Sequence, residues 1–237
     1  SSPSDRASVS ATGPSRATFS EFAPLFDGDG VGLQLSGGIG TQETLADEVS
    51  ANLLYKGFSL ALGQFHLQSD GFRENNDIRH DILAAQASLA VTPRLTLFGQ
   101  YIYRETEAGD RLLRFDLDED LFPNYRGDLQ RNTARLGFSA RLPEGFTLLG
   151  LGHWSETDVR NVNAETITLP FPPGPLKLST IDDLLADSMN AQVQAISSNF
   201  AVDEKTSLQF AVGASVSQID QIQFFNTLST PVLGLPP

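Results

Sequence analysis

The stretch Leu129-Gln130-Arg131-Asn132-Thr133-Ala134-Arg135-Leu136-Gly137-Phe138-Ser139-Ala140-Arg141-Leu142 decides how the rest of this sequence is read. Ala134, Leu136, Phe138, Ala140 and Leu142 fall on one parity, and Arg131, Thr133, Arg135, Ser139 and Arg141 on the other. Successive side chains of a strand point to opposite faces, so a strand here has one apolar face and one face carrying three arginines. A helix would scatter the same charges around its circumference. Working outward, 206 to 217 repeats the pattern, with Leu208, Phe210, Val212, Ala214 and Val216 on one parity, and Leu83, Ala85, Ala87, Leu89 and Val91 supply another apolar face. Further period-two segments at 31–39, 47–55, 58–68, 95–105, 146–156 and 190–201 predict an all-β chain with roughly nine or ten strands visible. Within 58–68 the alternation changes phase near Gly63, which predicts a bulge there. Segment 146–156 is apolar on both parities, which fits an interior face lightened by Gly150 and Gly152.

Composition bounds what such strands do. Of 237 residues, 29 are acidic and 16 basic, a net charge of −13, and no run of Lys or Arg suits phosphate neutralisation, so nucleic acid is not an expected partner. The chain has no Cys, which removes thiolate catalysis, Cys-based zinc sites and redox motifs. No run approaches about 18 consecutive apolar residues, so a transmembrane helix is not expected, whereas a membrane β-barrel needs only alternating apolar residues. Residues 1–20, rich in Ser, Thr and Pro, read as a linker rather than a secretory signal, and 21–237 as the β-rich segment. That linker and the prolines between Pro231 and Pro237 lead us to expect a fragment of a longer protein.

The connections sharpen the architecture. Lys56-Gly57, Thr92-Pro93-Arg94, Pro143-Glu144-Gly145 and Val202-Asp203-Glu204-Lys205 read as tight turns. They alternate with longer polar connections at 69–77, 106–128 and 157–189. In an antiparallel meander, alternate connections lie at one end, so the long loops collect at one rim and the short turns at the other, the arrangement of outer-membrane barrels. Tyr55, Phe58, Phe146 and Phe200 lie near the short turns, and Tyr101, Tyr103 and Trp154 toward the long loops, as two interfacial girdles require. The expected fold is therefore an antiparallel transmembrane β-barrel, a meander forming part of a larger barrel.

On these residues a resemblance can be stated. Ser69-Asp70-Gly71-Phe72-Arg73-Glu74-Asn75-Asn76-Asp77, entering a strand after an alternating one, resembles the loop found early in the barrels of TonB-dependent receptors. Together with 15–26 (Ser15 to Phe26) and Arg114-Phe115-Asp116, it more closely resembles large Gram-negative envelope proteins in which tetratricopeptide repeats precede a β-barrel. The resemblance spans roughly 15–160 and implies a bacterial outer-membrane barrel, receptor- or transport-like, with periplasmic partners reached through preceding repeats. No plug domain or TonB-contacting box is visible. A receptor barrel of about 22 strands needs on the order of 220 residues for strands alone, more than this chain supplies.

Candidate functional residues are few, and no catalytic residue or cofactor is expected. His66, His80 and His153 lie on different strands, so a Ser-His-Asp arrangement has no fixed spacing behind it, and the adjacent His80 and Asp81 point to opposite faces. Asp116, Asp118, Glu119 and Asp120 are oxygen donors of the type Ca²⁺ prefers, but they lack the Gly and distal Glu of a helix-loop-helix site and read as a solvated acidic loop. A cation there would bridge the loop to lipopolysaccharide phosphates. In the 69–77 loop, Asn75, Asn76 and Asp77 suit Asx-type turns and Gly71 a positive φ, with Asp70, Phe72 and Arg73 completing the motif. Arg131, Arg135 and Arg141 would each cost up to about 2 to 4 kcal/mol against lipid, so they face a polar lumen, and Gln100 and Arg104 share a face with Thr96 to extend that wall. They bias a pore toward anions or pair with internal or loop carboxylates. The reading is an outer-membrane barrel segment, receptor/transporter- or pore-like, with acidic external loops, surrounded by outer-membrane lipid and lipopolysaccharide. The alternative is a soluble or surface-exposed all-β adhesin-like module, and an outer-membrane hydrolase is a third class.

Overall fold

A computed structural model describes residues 29–110, 124–143, 145–170, 173–198, 200–201 and 207–231. The strands are β1 (Gly30–Ile39), β2 (Leu45–Tyr55), β3 (Phe58–Ser69), β4 (Ile78–Thr92), β5 (Leu95–Ala108), β6 (Arg126–Arg141), β7 (Phe146–Pro170), β8 (Pro173–Ser197), β9 (Phe200–Ala201), β10 (Ser207–Leu208) and β11 (Ala211–Pro231). Nine of them form one antiparallel sheet in the order β1-β2-β3-β4-β5-β6-β7-β8-β11. From β1 to β8 each strand pairs with the next in sequence, β8 pairs with β11, and the β9–β10 pair between them has its register shifted by one residue from that of β8–β11.

No second layer covers either face of this sheet among the described residues. One face is nevertheless much more buried, because a right-twisted sheet of many strands coils, and side chains inside the curve crowd one another. Thr133 lies level with Ile102, Ala84, Gly63 and Ser50 on one side and with Ser155 and Ser188 on the other. The buried Ala61, Ile82, Ala84, Ser50, Gln100, Thr133 and Thr157 all lie on this concave face. The convex face presents Leu33, Leu35, Leu62, Leu83, Leu89, Leu97, Leu136, Phe138, Met189, Val193, Val212 and Val216, all exposed.

The short turns form as their residues dictate. Lys56 and Gly57 both have positive φ (45° and 82°), the geometry of a two-residue hairpin turn whose twist matches its strands. Gly145 (φ 81°) closes the β6–β7 turn, where the Leu142 amide donates to the Phe146 carbonyl. At the opposite rim, Gly40 to Thr44 forms a tight connection that the sequence reading left unassigned, with Gln42 and Glu43 at positive φ.

Four expectations are corrected. The expected long connection at 157–189 is the upper part of β7 and β8, paired from Phe146↔Ser197 out to Pro170↔Pro173. Polar side chains on both faces of its lower part erase the period of two, while the backbone ladder continues. For the same reason β8 spans Pro173–Ser197 rather than 190–201, and β11 runs on to Pro231. There is no bulge at Gly63, where β3 stays in register with both neighbours, and the irregularity lies between Ala90 and Thr92. The phase change there marks where the convex face turns polar, from Leu60 and Leu62 to Gln64 and His66. Finally, Gly150 and Gly152 lie on the convex face opposite Phe138 and Leu136, leaving Leu149 and Leu151 concave. A Cβ on Gly150 would collide with the Phe138 ring, so this glycine makes room for an outward aromatic. The linker 1–20, Ser15 to Phe26, Val202 to Lys205, Arg114 and the acidic Asp116, Asp118, Glu119 and Asp120 lie outside the described residues.

Candidate functional site

Two features stand out, a loop cluster at the long-loop rim and a polar wall on the concave face. In the 69–77 loop Gly71 has φ 77° and Asn75 φ 53°. The Arg73 guanidinium lies 3.2 Å from the Asp110 carboxylate, both buried, and also donates to the Asp110 carbonyl at 3.1 Å. Asn76 donates from Nδ2 to that same carbonyl at 2.6 Å, and Asn75 donates to the Tyr125 carbonyl at 3.0 Å. The Asp110 and Gly109 amides donate back to the Asn75 and Asp77 carbonyls, and Arg126 pairs with Asp77. Asp70 donates its amide to the Gln42 carbonyl, while exposed Phe72 carries the Arg73 guanidinium 5.7 Å above its ring. The motif residues thus lock the β3–β4 loop to the ends of β5 and β6. Burial and the nearby Asp110 carboxylate push the Tyr125 phenol above its ordinary pKa.

Gly71 is required by this geometry. A Cβ there would run into the Asn76 carbonyl oxygen in a left-handed backbone conformation that side chains disfavour. Gly71→Ala is expected to cost about 1 to 3 kcal/mol, read as faster amide exchange at Gly109 and Asp110. Unchanged exchange at those amides would show that the loop does not clamp the rim.

Below this cluster the concave face opens a cavity of about 700 Å³, lined among others by Thr106, Tyr125, Asn161, Thr180, Asp182 and Phe225. Sequence spacing names none of these, because the lining comes from five strands whose levels depend on register. Deeper, Gln100, Arg104, Arg131, Arg135 and Arg141 share the concave face. Arg131 stands directly opposite Arg104, and Arg135 opposite Gln100. Arg135 donates to Gln100 Oε1 at 3.0 Å, Gln100 donates to Gln86 at 3.4 Å, and Arg131 donates from Nε to Thr157 Oγ1 at 3.0 Å.

The histidines do not converge. His66 bonds Asp81 at 2.6 Å on the convex face, while His80, bonded to Thr106 at 2.6 Å, and His153 lie on the concave one. The His66–Asp81 contact joins residues 15 positions apart, which local spacing does not relate. The β3–β4 register, which joins Phe58 to Leu89 and His66 to Asp81, brings it together.

On the convex face the apolar zone ends at Tyr55, Phe58 and Phe146 near the short turns and at Tyr101, Tyr103 and Trp154 toward the other rim. Beyond the latter come Asp81, Glu105, Glu107, Asp128, Glu156 and Asp158. An antiparallel meander with a polar interior and an apolar exterior is the architecture of outer-membrane barrels, and this chain carries nine strands of it. Its fold is similar to that of the ferric-catecholate import receptor Fiu from E. coli K12, with a TM-score of 0.67 and 12% identity, over 83% of this chain and 35% of the receptor. The alcaligin outer-membrane receptor FauA from Bordetella pertussis aligns with a TM-score of 0.46 and 12% identity, over 84% of this chain and 38% of that one. The chain therefore spans about a third of the length of these receptors, and the likeness to Fiu is one of fold. The receptor-barrel side of the sequence resemblance has a structural counterpart; the tetratricopeptide-repeat resemblance is not shown. No protein-family model matches the chain, and no curated protein matches it in sequence.

Proposed function

We propose that this chain is a receptor- or transporter-like segment of an outer-membrane β-barrel, with its convex face in lipid, its concave face lining an aqueous interior, and a role in solute recognition or passage rather than catalysis. The observation that carries this reading is the inversion of burial. Small and polar side chains are enclosed, while Leu, Val, Phe and Met stand exposed between two aromatic borders. Water penalises such a surface, and hydrocarbon does not. Along β5 the zone runs from Leu95 to Tyr103, nine residues by position, against about 9 to 11 for a strand that crosses a bilayer. The carboxylates beyond the upper border then meet the headgroup region, where lipopolysaccharide is the expected neighbour.

Folding decides this reading. The purified chain is expected to acquire β-type circular dichroism in detergent micelles and not in plain buffer, and to migrate differently in SDS gels before and after boiling. A soluble monomer unfolding cooperatively in plain buffer would overturn the proposal.

A further inference from the structure

We propose that four arginines of β5 and β6, Arg104, Arg131, Arg135 and Arg141, form an oxyanion-binding track on the concave wall, which gives the solute of this barrel a carboxylate or phosphate group. The inference rests on the concave face being the aqueous interior. Its first ground is how charge is sorted. The whole chain carries a net −13, yet Arg104, Arg131, Arg135 and Arg141 all project to the concave side. The carboxylates of those two strands, Glu105, Glu107 and Asp128, and Glu156 and Asp158 of the neighbouring β7, project to the convex side. Within the paired strands, the described carboxylates that share the arginines' face are Glu48, three strands from β5, and Asp182, near the rim and bonded to Gln223 at 2.8 Å.

The second ground is the arrangement of the guanidinium groups. Arg104 and Arg131 are a directly opposed cross-strand pair of like charge, a placement that destabilises a sheet unless something neutral or negative lies between. None of the four arginines is in an ion pair among the described residues, and Arg104 Nε is buried without a hydrogen-bond partner. Among the described residues Arg131 donates to Thr157 and Arg135 to Gln100, neutral neighbours that hold each side chain and engage one of its five N–H donors. From the Arg104–Arg131 level, Arg135 lies about 13 Å down the strand, and Arg141 is near the short-turn rim. A planar guanidinium binds carboxylate and phosphate oxygens two at a time, so successive groups offer an oxyanion successive stations.

The absence of cysteine makes this testable at one position. Ser155→Cys places a unique thiol on the concave face between the levels of Arg131 and Arg135, and Ala134→Cys places one on the convex apolar zone. The whole protein in lipid vesicles is treated with an anionic or a cationic methanethiosulfonate reagent of similar size. At Ser155→Cys the anionic reagent is expected to react at least about tenfold faster, as clefts of one sign of charge accelerate encounter. Inorganic phosphate should slow it more than chloride of equal ionic strength. Arg131→Gln, and Arg104→Gln with Arg131→Gln and Arg135→Gln together, should bring the ratio toward one, with heat-dependent gel migration confirming that each variant folds. Equal rates for the two reagents in the parent, or no reaction with either, would overturn the track. Ready reaction of Ala134→Cys with both reagents would instead overturn the barrel reading beneath it.

Discussion

Leu136→Arg is expected to destabilise the folded chain in lipid vesicles by about 2 to 4 kcal/mol, the cost of a guanidinium near the bilayer midplane. Leu136 is 72% exposed and sits in the middle of the convex apolar zone, with Phe138 and Ala140 toward the short turns and Ala134 toward Trp154. In a protein surrounded by water, so exposed a leucine would accept arginine with a change within about 0.5 kcal/mol. The two environments thus predict results several-fold apart for one substitution. Ser139→Arg is the matched control, because Ser139 lies on the same strand but faces the concave side with Arg141 and Thr147. Unfolding titrations in vesicles that show Leu136→Arg as neutral as Ser139→Arg would remove lipid from the convex face.

Arg73→Ala is expected to cost roughly 3 to 5 kcal/mol, because it breaks a buried ion pair and takes the guanidinium away from the Asp110 carboxylate. The two side chains are only 5% and 4% exposed, so solvent replaces the lost guanidinium poorly at the Asp110 carboxylate. The loss falls on the rim first: the Asp110 amide and carbonyl bond to Asn75 and Asn76, so amide exchange there should quicken before the strands unfold. Replacing both partners, Arg73→Met with Asp110→Leu, should recover much of the stability, since no buried charge is left unpaired. A single Arg73→Ala change below about 1 kcal/mol, the range of an exposed pair, would mean that the rim cluster opens to water.

Much of this architecture was legible in the residues of β6. The parity of Arg131, Thr133, Arg135 and Arg141 against Ala134, Leu136, Phe138 and Ala140 identified the strand, its two faces and the side on which its arginines lie. Parity alone puts Gln100 and Arg104 on one face of their strand, and residue chemistry marks Lys56-Gly57 as a tight turn and Gly71 as a positive-φ position. Period two is a local property, and it held wherever one face was apolar. It failed where that condition ended, as in β3 beyond Gly63, where a continuous strand was mistaken for a bulged one. It failed again above Trp154, where Thr157, Asp158, Arg160, Asn161, Asp182 and Asp183 put polar side chains on both faces of the β7–β8 ladder.

By itself, then, the sequence determined which residues could share a face, where the chain had to turn, and that the chain is built from strands with one apolar face, because these depend on neighbours a few positions apart. The tertiary structure alone decided which residues of different strands stand at one level. Folding of the β3–β4 loop onto the end of β5 brought Arg73 to Asp110 across 37 positions of sequence, while register opposed Arg104 to Arg131, joined His66 to Asp81 and seated Phe138 over Gly150. Those contacts follow from the sum of two positions across each hairpin. That sum is set by where both strands bury their side chains and by how each turn closes, a condition that spans the whole sheet and that no local spacing records.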